Sequence, residues 1–287
     1  MAHQHDTGSA RPRVSVVIPA LNEARNLPYV LPRLPAGLHE VILVDGASID
    51  DTLRIARELR PDVRIVMQTR RGKGNALACG LAVATGDIAV TLDADGSADP
   101  AEIPQFVAAL MEGADFAKGT RFAPGGGSTD ITRFRALGNR LLNRFVNACY
   151  GTSYTDLCYG FNAFWRRHLP VMGLDVKAAP GSPGGRLAWG DGFEVETLIH
   201  VRVAAAGLAV AEVPSFEHRR VHGRSNLNAF SDGLRVLRTI LTERRWARRQ
   251  PELTAAPREP VPSAASAQPA DGSPDPHAQS STVGSPQ

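Results

Sequence analysis

The sequence predicts an α/β protein: a doubly wound, mostly parallel sheet with helices on both faces. Three observations carry this. Short apolar runs and helical patterns alternate through the first hundred residues. The runs "VSVVIPA" (14–20), "EVILVDGAS" (40–48), "RIVMQ" (64–68) and "DIAVTLDAD" (87–95) lack in–out alternation, which marks strands buried on both faces. Three of them end in polar residues, "PALNE", "VDGASIDDT" and "DADGS", as at the carboxyl edge of an open α/β sheet, where ligands bind.

The elements follow in order. The first strand leads into a helix over 22–34, with Asn22 as its N-cap. The second leads into "SIDDTLRIARELR" (48–60), capped by Ser48 or Asp50 and acidic in its first turn. "KGNALACGLAVATG" (73–86) is a small, apolar helix ending at Gly86. In the second half, "GADFAKGTRF" (113–122) reads as a strand, "PGGGS" (124–128) as a flexible loop and "FRALGNRLLNRFVNACY" (134–150) as an amphipathic helix. "APGSPGG" (179–185) is a second mobile loop, followed by a helix over 191–206 and a strand over 209–219. A last amphipathic helix starts near Leu227, with Phe230, Leu234, Leu237 and Leu241 on one face. No internal repeat is visible.

Length and composition frame this reading. The 287 residues, 43% of them hydrophobic, suffice for one large domain, placed here at 13–249. Residues 1–12 and the Pro/Ser/Ala-rich 250–287 are too poor in large apolar groups to offset their ordering entropy, which predicts disorder. The tail holds four carboxylates against one arginine, so the first 250 residues carry a net charge of +6. Much of it lies in "RVLRTILTERRWARR" (235–249), a patch suited to an anionic partner. Its two readings are a membrane-surface helix with Trp246 at the interface and a core-packed helix with a solvated basic end. No RNA- or DNA-binding module accompanies the patch, so no nucleic-acid partner is expected. Cys79, Cys149 and Cys158 lack CxxC spacing and are expected as reduced thiols. With no apolar run of transmembrane length and no hydrophobic signal region, the expected location is cytoplasmic, with peripheral contact at the inner membrane face through 227–249.

The chemistry points to "VTLDADGSADP" (90–100). Asp93 and Asp95 stand two residues apart where a buried strand ends, and a turn lets them converge. Convergent carboxylates repel and call for a cation; hard oxygen ligands suit Mg2+ or Mn2+. The bland alternative is a solvated turn. Other nucleotide signatures fail: no G-x-G-x-x-G follows the first strand, and "RRGKGNA" (70–76) lacks the spacing of a P-loop. His218 and His222 are four apart but flanked by arginines, which opposes a zinc site.

Seven ordered segments, "VSVVIPALNEARNL", "EVILVDGASIDDT", "RRGKGNAL", "VTLDADGSADP", "KGTRF", "TDLCYGFNAFWRR" and "AEVPSFEHRRVHGRSN", resemble the family 2 glycosyltransferases over roughly residues 13–245. The dolichyl-phosphate mannose synthase-like branch, with the GT-A fold, is the most similar. The resemblance implies an inverting, metal-dependent transferase using a GDP- or UDP-sugar donor and a polyprenyl-phosphate acceptor. It implies that Pro19, Ala20, Asn22 and Glu23 line the nucleotide pocket, that Asp45, with Gly46 and Ser48 beside it, meets the base, and that Lys73 and Gly74 approach base and ribose. Asp93, Ala94 and Asp95 match the metal-diphosphate motif, and Asp156 the aspartate before "GF". Arg121 and Arg135 match arginines near the donor diphosphate or the acceptor phosphate; Arg219, Arg220 and Ser225 match the late basic motif. Three positions depart from the pattern: Ser97 stands where Gln is common, Asn162 where Arg is usual, and Asn226 where Lys is usual.

A phosphate acceptor is already largely ionised at neutral pH and needs cations more than a base. A hydroxyl acceptor, soluble or from secondary metabolism, needs a carboxylate to take its proton. Asp191 and Glu194 in "GDGFEVE" are the candidates, against a reading in which they merely cap and face a helix start. A sugar-phosphate nucleotidyltransferase is the reading from another class, but its Gly-rich N-terminal loop is missing.

Overall fold

Runs of buried Val, Ile and Leu build the central sheet of the protein, which a computed structural model describes for residues 11–174, 189–223 and 229–249. In the first half, β1 (Val14–Ala20), β2 (Glu40–Asp45), β3 (Arg64–Met67) and β4 (Ile88–Thr91) are all parallel. The sheet continues with β5 (Phe116–Thr120), β7 (Asn162–Trp165) and β8 (Val210–Pro214) in the order β3-β2-β1-β4-β7-β5-β8. The short strands β6 (Gly127–Ser128) and β9 (Phe216–Glu217) pair separately and in parallel; β6 lies in the segment expected as a loop, and β9 in the second part of the strand expected over 209–219, which breaks at Ser215.

Successive strand residues face opposite sides. Val16, Ile18, Val41 and Leu43 pack one layer with α1 (Leu27–Val30), α2 (Thr52–Leu59) and α4 (Ile103–Met111). Val17, Ile42 and Val44 pack the other with α3 (Lys73–Val83), α6 (Leu169–Met172) and α7 (Val195–Ala205). A third cluster, with Val146, Leu157, Val201, Val236 and Ile240, joins α5 (Arg133–Tyr150) and α8 (Ala229–Arg249) to α7. The α/β sheet with helices on both faces is as the sequence predicts, and mostly parallel.

Several boundaries differ. No helix covers 22–34: Asn22 adopts a left-handed φ of 57° and spends its side-chain oxygen on the Ile49 N–H (2.8 Å), so it caps nothing. Only α1 and a single following turn over 31–33 are helical. Ser48 does not cap α2; Asp51 holds the N-cap position without a side-chain bond, and it is Asp50 whose Oδ1 accepts from the first helical N–H, that of Thr52 (3.0 Å). The second strand stops at Asp45, and residues 191–194 form a turn before α7. Three elements were not anticipated: α4, the short α6, and β7, which is antiparallel to both neighbours. Ser225 and Asn226, the 179–185 loop and the 250–287 tail lie outside the described residues.

Candidate active site

The chain order reverses between β1 and β4, and the carboxyl ends of β1, β2 and β4 meet there. Pro19 and Ala20 close β1 beside Val44 and Asp45. The loops that follow are tied together. Asn22 N–H donates to Ser48 Oγ (2.9 Å), Glu23 N–H to Thr52 Oγ1 (2.8 Å), Gly46 N–H to Ala20 O (2.8 Å) and Ser48 N–H to Asp45 Oδ2 (3.0 Å). Asp45 is buried, and its Oδ1 has no hydrogen-bond partner among the described residues. An acceptor left unmade at a strand end is a place where a ligand's N–H gains a bond.

A cavity of about 480 Å3 opens beside this edge. Of the residues singled out in the sequence it gathers Lys73, Asp93, Asp95, Arg121, Arg135, Glu194, Arg219 and Arg220, with Ser97 and Cys158. It does not reach Pro19, Ala20, Asn22, Glu23, Asp45, Gly46, Ser48, Gly74, Ala94, Asp156 or Asp191.

Both aspartates of the DxD turn are held by cations. Lys73, the first residue of α3, places Nζ 2.6 Å from Asp93 Oδ1 and 2.6 Å from Glu196 Oε1 on α7. Burial works against the ammonium, but the two carboxylates outweigh it and raise its pKa. Burial pushes Glu196 up, and Lys73 only partly offsets that. Arg220 lies 2.9 Å from Asp95 Oδ2 and 3.3 Å from Glu23 Oε1. Asp95 Oδ1 also accepts from Ser97 N–H (2.9 Å), so the turn folds back on its second carboxylate. Burial, with Asp95 and Asp93 adding to it, raises the Glu23 pKa despite Asn26 and Arg220. The three acids thus share one electrostatic neighbourhood.

Arg121 at the end of β5 is committed elsewhere. Its Nε and Nη2 hold Asp156 at 2.7 and 2.9 Å, and Nη1 lies 3.0 Å from both Glu217 oxygens. Its guanidinium also lies over the Tyr159 ring, 5.0 Å from the centroid. Burial opposes the Asp156 charge, yet Arg121 holds its carboxyl below the usual range. Beneath, the buried Lys118 ammonium donates to the carbonyls of Asp156 and Gly119, and burial lowers its pKa. Arg121 thus lines the cavity with its guanidinium held by Asp156, which lies outside the lining, and by Glu217. Arg135 lies 3.1 Å from Asp130 at the cavity wall.

The two candidate bases separate. Asp191 is buried and grips Arg70 through both oxygens (2.7 and 2.8 Å), outside the cavity, so neither a base nor an exposed helix face fits it. The turn carrying it is pinned to α3 by Gly74 N–H donating to Asp191 O (2.9 Å). A Cβ on Gly74 would stand 1.8 Å from Gly190 O, so only glycine permits this approach. Glu194 lines the cavity. Its Oε1 accepts from Gly190 N–H (3.2 Å) and Gly192 N–H (3.4 Å), while Oε2 is buried, 3.8 Å from Arg235 Nε, without a hydrogen-bond partner among the described residues. Asn162, the departure after "GF", is buried on β7 with its amide oxygen 3.1 Å from His200 Nε2. Burial drives the His200 pKa well down, so this pair adds no cation to the site.

Glu196, Glu217, Arg235 and the apolar wall of Ile131, Phe134, Leu142, Phe193 and Val236 were not singled out in the sequence. Glu196 stands in the same "FEVE" as Glu194, and Glu217 precedes the late basic motif; only their partners, 123 and 96 positions away, show their roles.

Similarity to known proteins agrees with this geometry. An uncharacterized glycosyltransferase of Mycobacterium tuberculosis is 43% identical over 108 residues, 38% of this chain and 48% of that protein. An undecaprenyl-phosphate 4-deoxy-4-formamido-L-arabinose transferase of an Enterobacter species is 33% identical over 168 residues, 55% of this chain and 50% of that one. The matches thus span about half the length of these two relatives. Among solved structures, glucosyl-3-phosphoglycerate synthase of M. tuberculosis in complex with phosphoglyceric acid superposes with a TM-score of 0.60 at 27% identity, over 80% of this chain and 79% of the other. The same synthase with Mn2+, UDP and glucosyl-3-phosphoglycerate gives 0.58. The sheet is that of the GT-A fold. The family profile described as glycosyl transferase family 2 matches residues 15–171, and the chain belongs to that family.

Proposed function

We propose that the protein is an inverting, metal-dependent glycosyltransferase that moves a sugar from a UDP- or GDP-sugar to a polyprenyl phosphate. One observation carries the reading: a single cavity joins the Asp93/Asp95 pair to the cations Arg135, Arg219, Arg220 and Arg235 and to an apolar wall of Ile131, Phe134, Leu142, Phe193 and Val236. Such a lining offers an amphiphilic phosphate cations for its head and an apolar wall for the start of its chain.

The residues fit a divalent cation. Asp93 and Asp95 are hard oxygen donors, each now paired with a cation, and these two carboxylates would hold the ion beside the diphosphate. Mg2+ or Mn2+ bound there would neutralise charge on the departing nucleoside diphosphate. The orphaned Asp45 Oδ1 would accept from the base, and the interlocked Asn22–Ser48 and Glu23–Thr52 loops would hold that edge. Lys73 and Arg220 would turn from the aspartates toward the diphosphate, and Arg219 and Arg235 would orient the acceptor phosphate. An ionised phosphate attacks the anomeric carbon without a base.

A second reading is favoured by the solved neighbour with phosphoglyceric acid: a small phosphorylated acid as acceptor, with Glu194 Oε2 taking the proton of its hydroxyl. The test measures sugar transfer from UDP- and GDP-sugars with Mn2+ to a short-chain prenyl phosphate, the matching prenol and phosphoglycerate. The first reading expects product with the prenyl phosphate alone. Equal transfer to prenol, or transfer to phosphoglycerate only, contradicts it, and pyrophosphate release from NTP and sugar phosphate marks a nucleotidyltransferase instead.

A further inference from the structure

We propose that the outward face of α5 is a docking surface for an anionic lipid bilayer, an inference that rests on the lipid-phosphate reading of the cavity. The 18 residues of α5 include Arg133, Arg135, Arg140 and Arg144 and no Asp or Glu. At 3.6 residues per turn three strips run along it. Arg135, Gly138 and Leu142 line the cavity. Next come Phe134, Leu137 and Leu141, which are 68%, 54% and 59% exposed. Beyond them run Arg133, Arg140 and Arg144, all exposed. Phe134 belongs to both the lining and the apolar strip, so that strip forms part of the cavity rim.

α8 repeats the pattern. It lines the same cavity through Arg235 and Val236, while Leu234 and Leu241 are exposed on a face shared with Arg238 and Arg245. Exposed leucines beside arginines are the composition of a helix lying in a membrane interface. A row of arginines with no acid on the helix selects an anionic surface. Other occupants fit less well. A symmetric dimer through α5 would press together two acid-free helices of four arginines each. The acidic 250–287 tail offers only Leu253, Val261 and Val283 as larger aliphatic groups, too few to cover the strip. Seated on a bilayer, the rim would let a prenyl chain remain in lipid while its phosphate enters the cavity.

The test is co-sedimentation of the full chain with vesicles of phosphatidylcholine alone or with about a third phosphatidylglycerol. The variants are Leu137→Gln/Leu141→Gln and Arg140→Gln/Arg144→Gln, none of which lines that cavity. The wild type should bind the anionic vesicles, release in high salt and ignore pure phosphatidylcholine. Each double variant should weaken partitioning by roughly tenfold or more, while transfer to a water-soluble prenyl phosphate without vesicles stays unchanged. Absence of wild-type binding, undiminished binding by the leucine variant, or a dimer that the leucine variant dissolves would overturn the proposal. If the wild type transfers nothing to the soluble prenyl phosphate, the acceptor reading fails, and the vesicle result still decides the docking face.

Discussion

Replacing Asp156 by Ala should unfold the protein well below its normal temperature without removing a group from the cavity lining. Asp156 is fully buried and accepts four hydrogen bonds: from Arg121 N–H (3.1 Å), Nε (2.7 Å) and Nη2 (2.9 Å), and from Asn139 Nδ2 (3.2 Å). Its removal leaves Arg121 buried with Glu217 as its one carboxylate partner in the ion pairs described. Breaking one partner out of a buried pair costs about 3–5 kcal/mol. For a folded region of this size each kcal/mol is about 2–4 °C, so the melting temperature should fall by roughly 6–20 °C. The pH dependence has a definite sign. The folded-state pKa of Asp156 is lowered, so its stabilisation is present above the unfolded-state value, about 3.9, and is lost as pH falls through the folded value. Thermal unfolding followed by circular dichroism should therefore show a wild-type–variant gap that is constant near neutrality and narrows only in strong acid. A shift under about 2 °C at pH 7, or a gap that widens on acidification, refutes the reasoning.

Three further outcomes follow from the same geometry. Gly74→Ala places a Cβ 1.8 Å from Gly190 O, so α3 must move from the 190–194 turn; calorimetry should show a loss of about 1–3 kcal/mol or more, and an unchanged melting temperature contradicts the contact. Cys158 is exposed, but only into the cavity it lines, where the surrounding protein desolvates it and, with the Asp156 carboxylate adding to this, pushes its thiol up to about 12, so at pH 8 it holds roughly a thousandfold less thiolate than a free cysteine. Iodoacetamide labelling followed by mass spectrometry should be slow at pH 8 and accelerate with rising pH; rapid labelling at pH 7 contradicts this. Lys73→Met leaves Glu196 and Asp93 facing each other without their shared cation; urea unfolding should lose about 3–5 kcal/mol, largely restored by Lys73→Arg, and equal losses in both variants contradict the charge argument.

The first half of the fold was legible because its strands are continuous apolar runs between helical periods. β7 was hidden: "NAFW" is four residues long and lies inside a segment otherwise read for its chemistry. α4 was hidden by its opening, where Pro100 and Pro104 interrupt the helical period, although Asp99 accepts from Ala101 N–H as a cap should. The helix expected over 22–34 starts late for a tertiary reason: the N–H groups of Asn22, Glu23 and Ala24 donate to Ser48, Thr52 and Asp50 around the start of α2, and the chain turns helical only after Glu23, whose carbonyl accepts from Asn26 and Leu27 N–H. In the site, the DxD turn was readable from its place at a strand end. The role of Asp191 was not, because Arg70 lies 121 positions away. The placement of Arg121 likewise depends on Glu217, 96 positions on.

The central claim is that Asp93 and Asp95 join a nucleoside diphosphate to the chain through a divalent cation. Isothermal titration of UDP and GDP into the wild type and Asp95→Ala, with Mn2+ and with EDTA, tests it most directly. The account predicts binding of one nucleotide by the wild type with Mn2+, and a loss of about a hundredfold or more both in EDTA and in the variant, whose melting temperature stays near that of the wild type. Equal affinity in EDTA, or full affinity in Asp95→Ala with Mn2+, would contradict it.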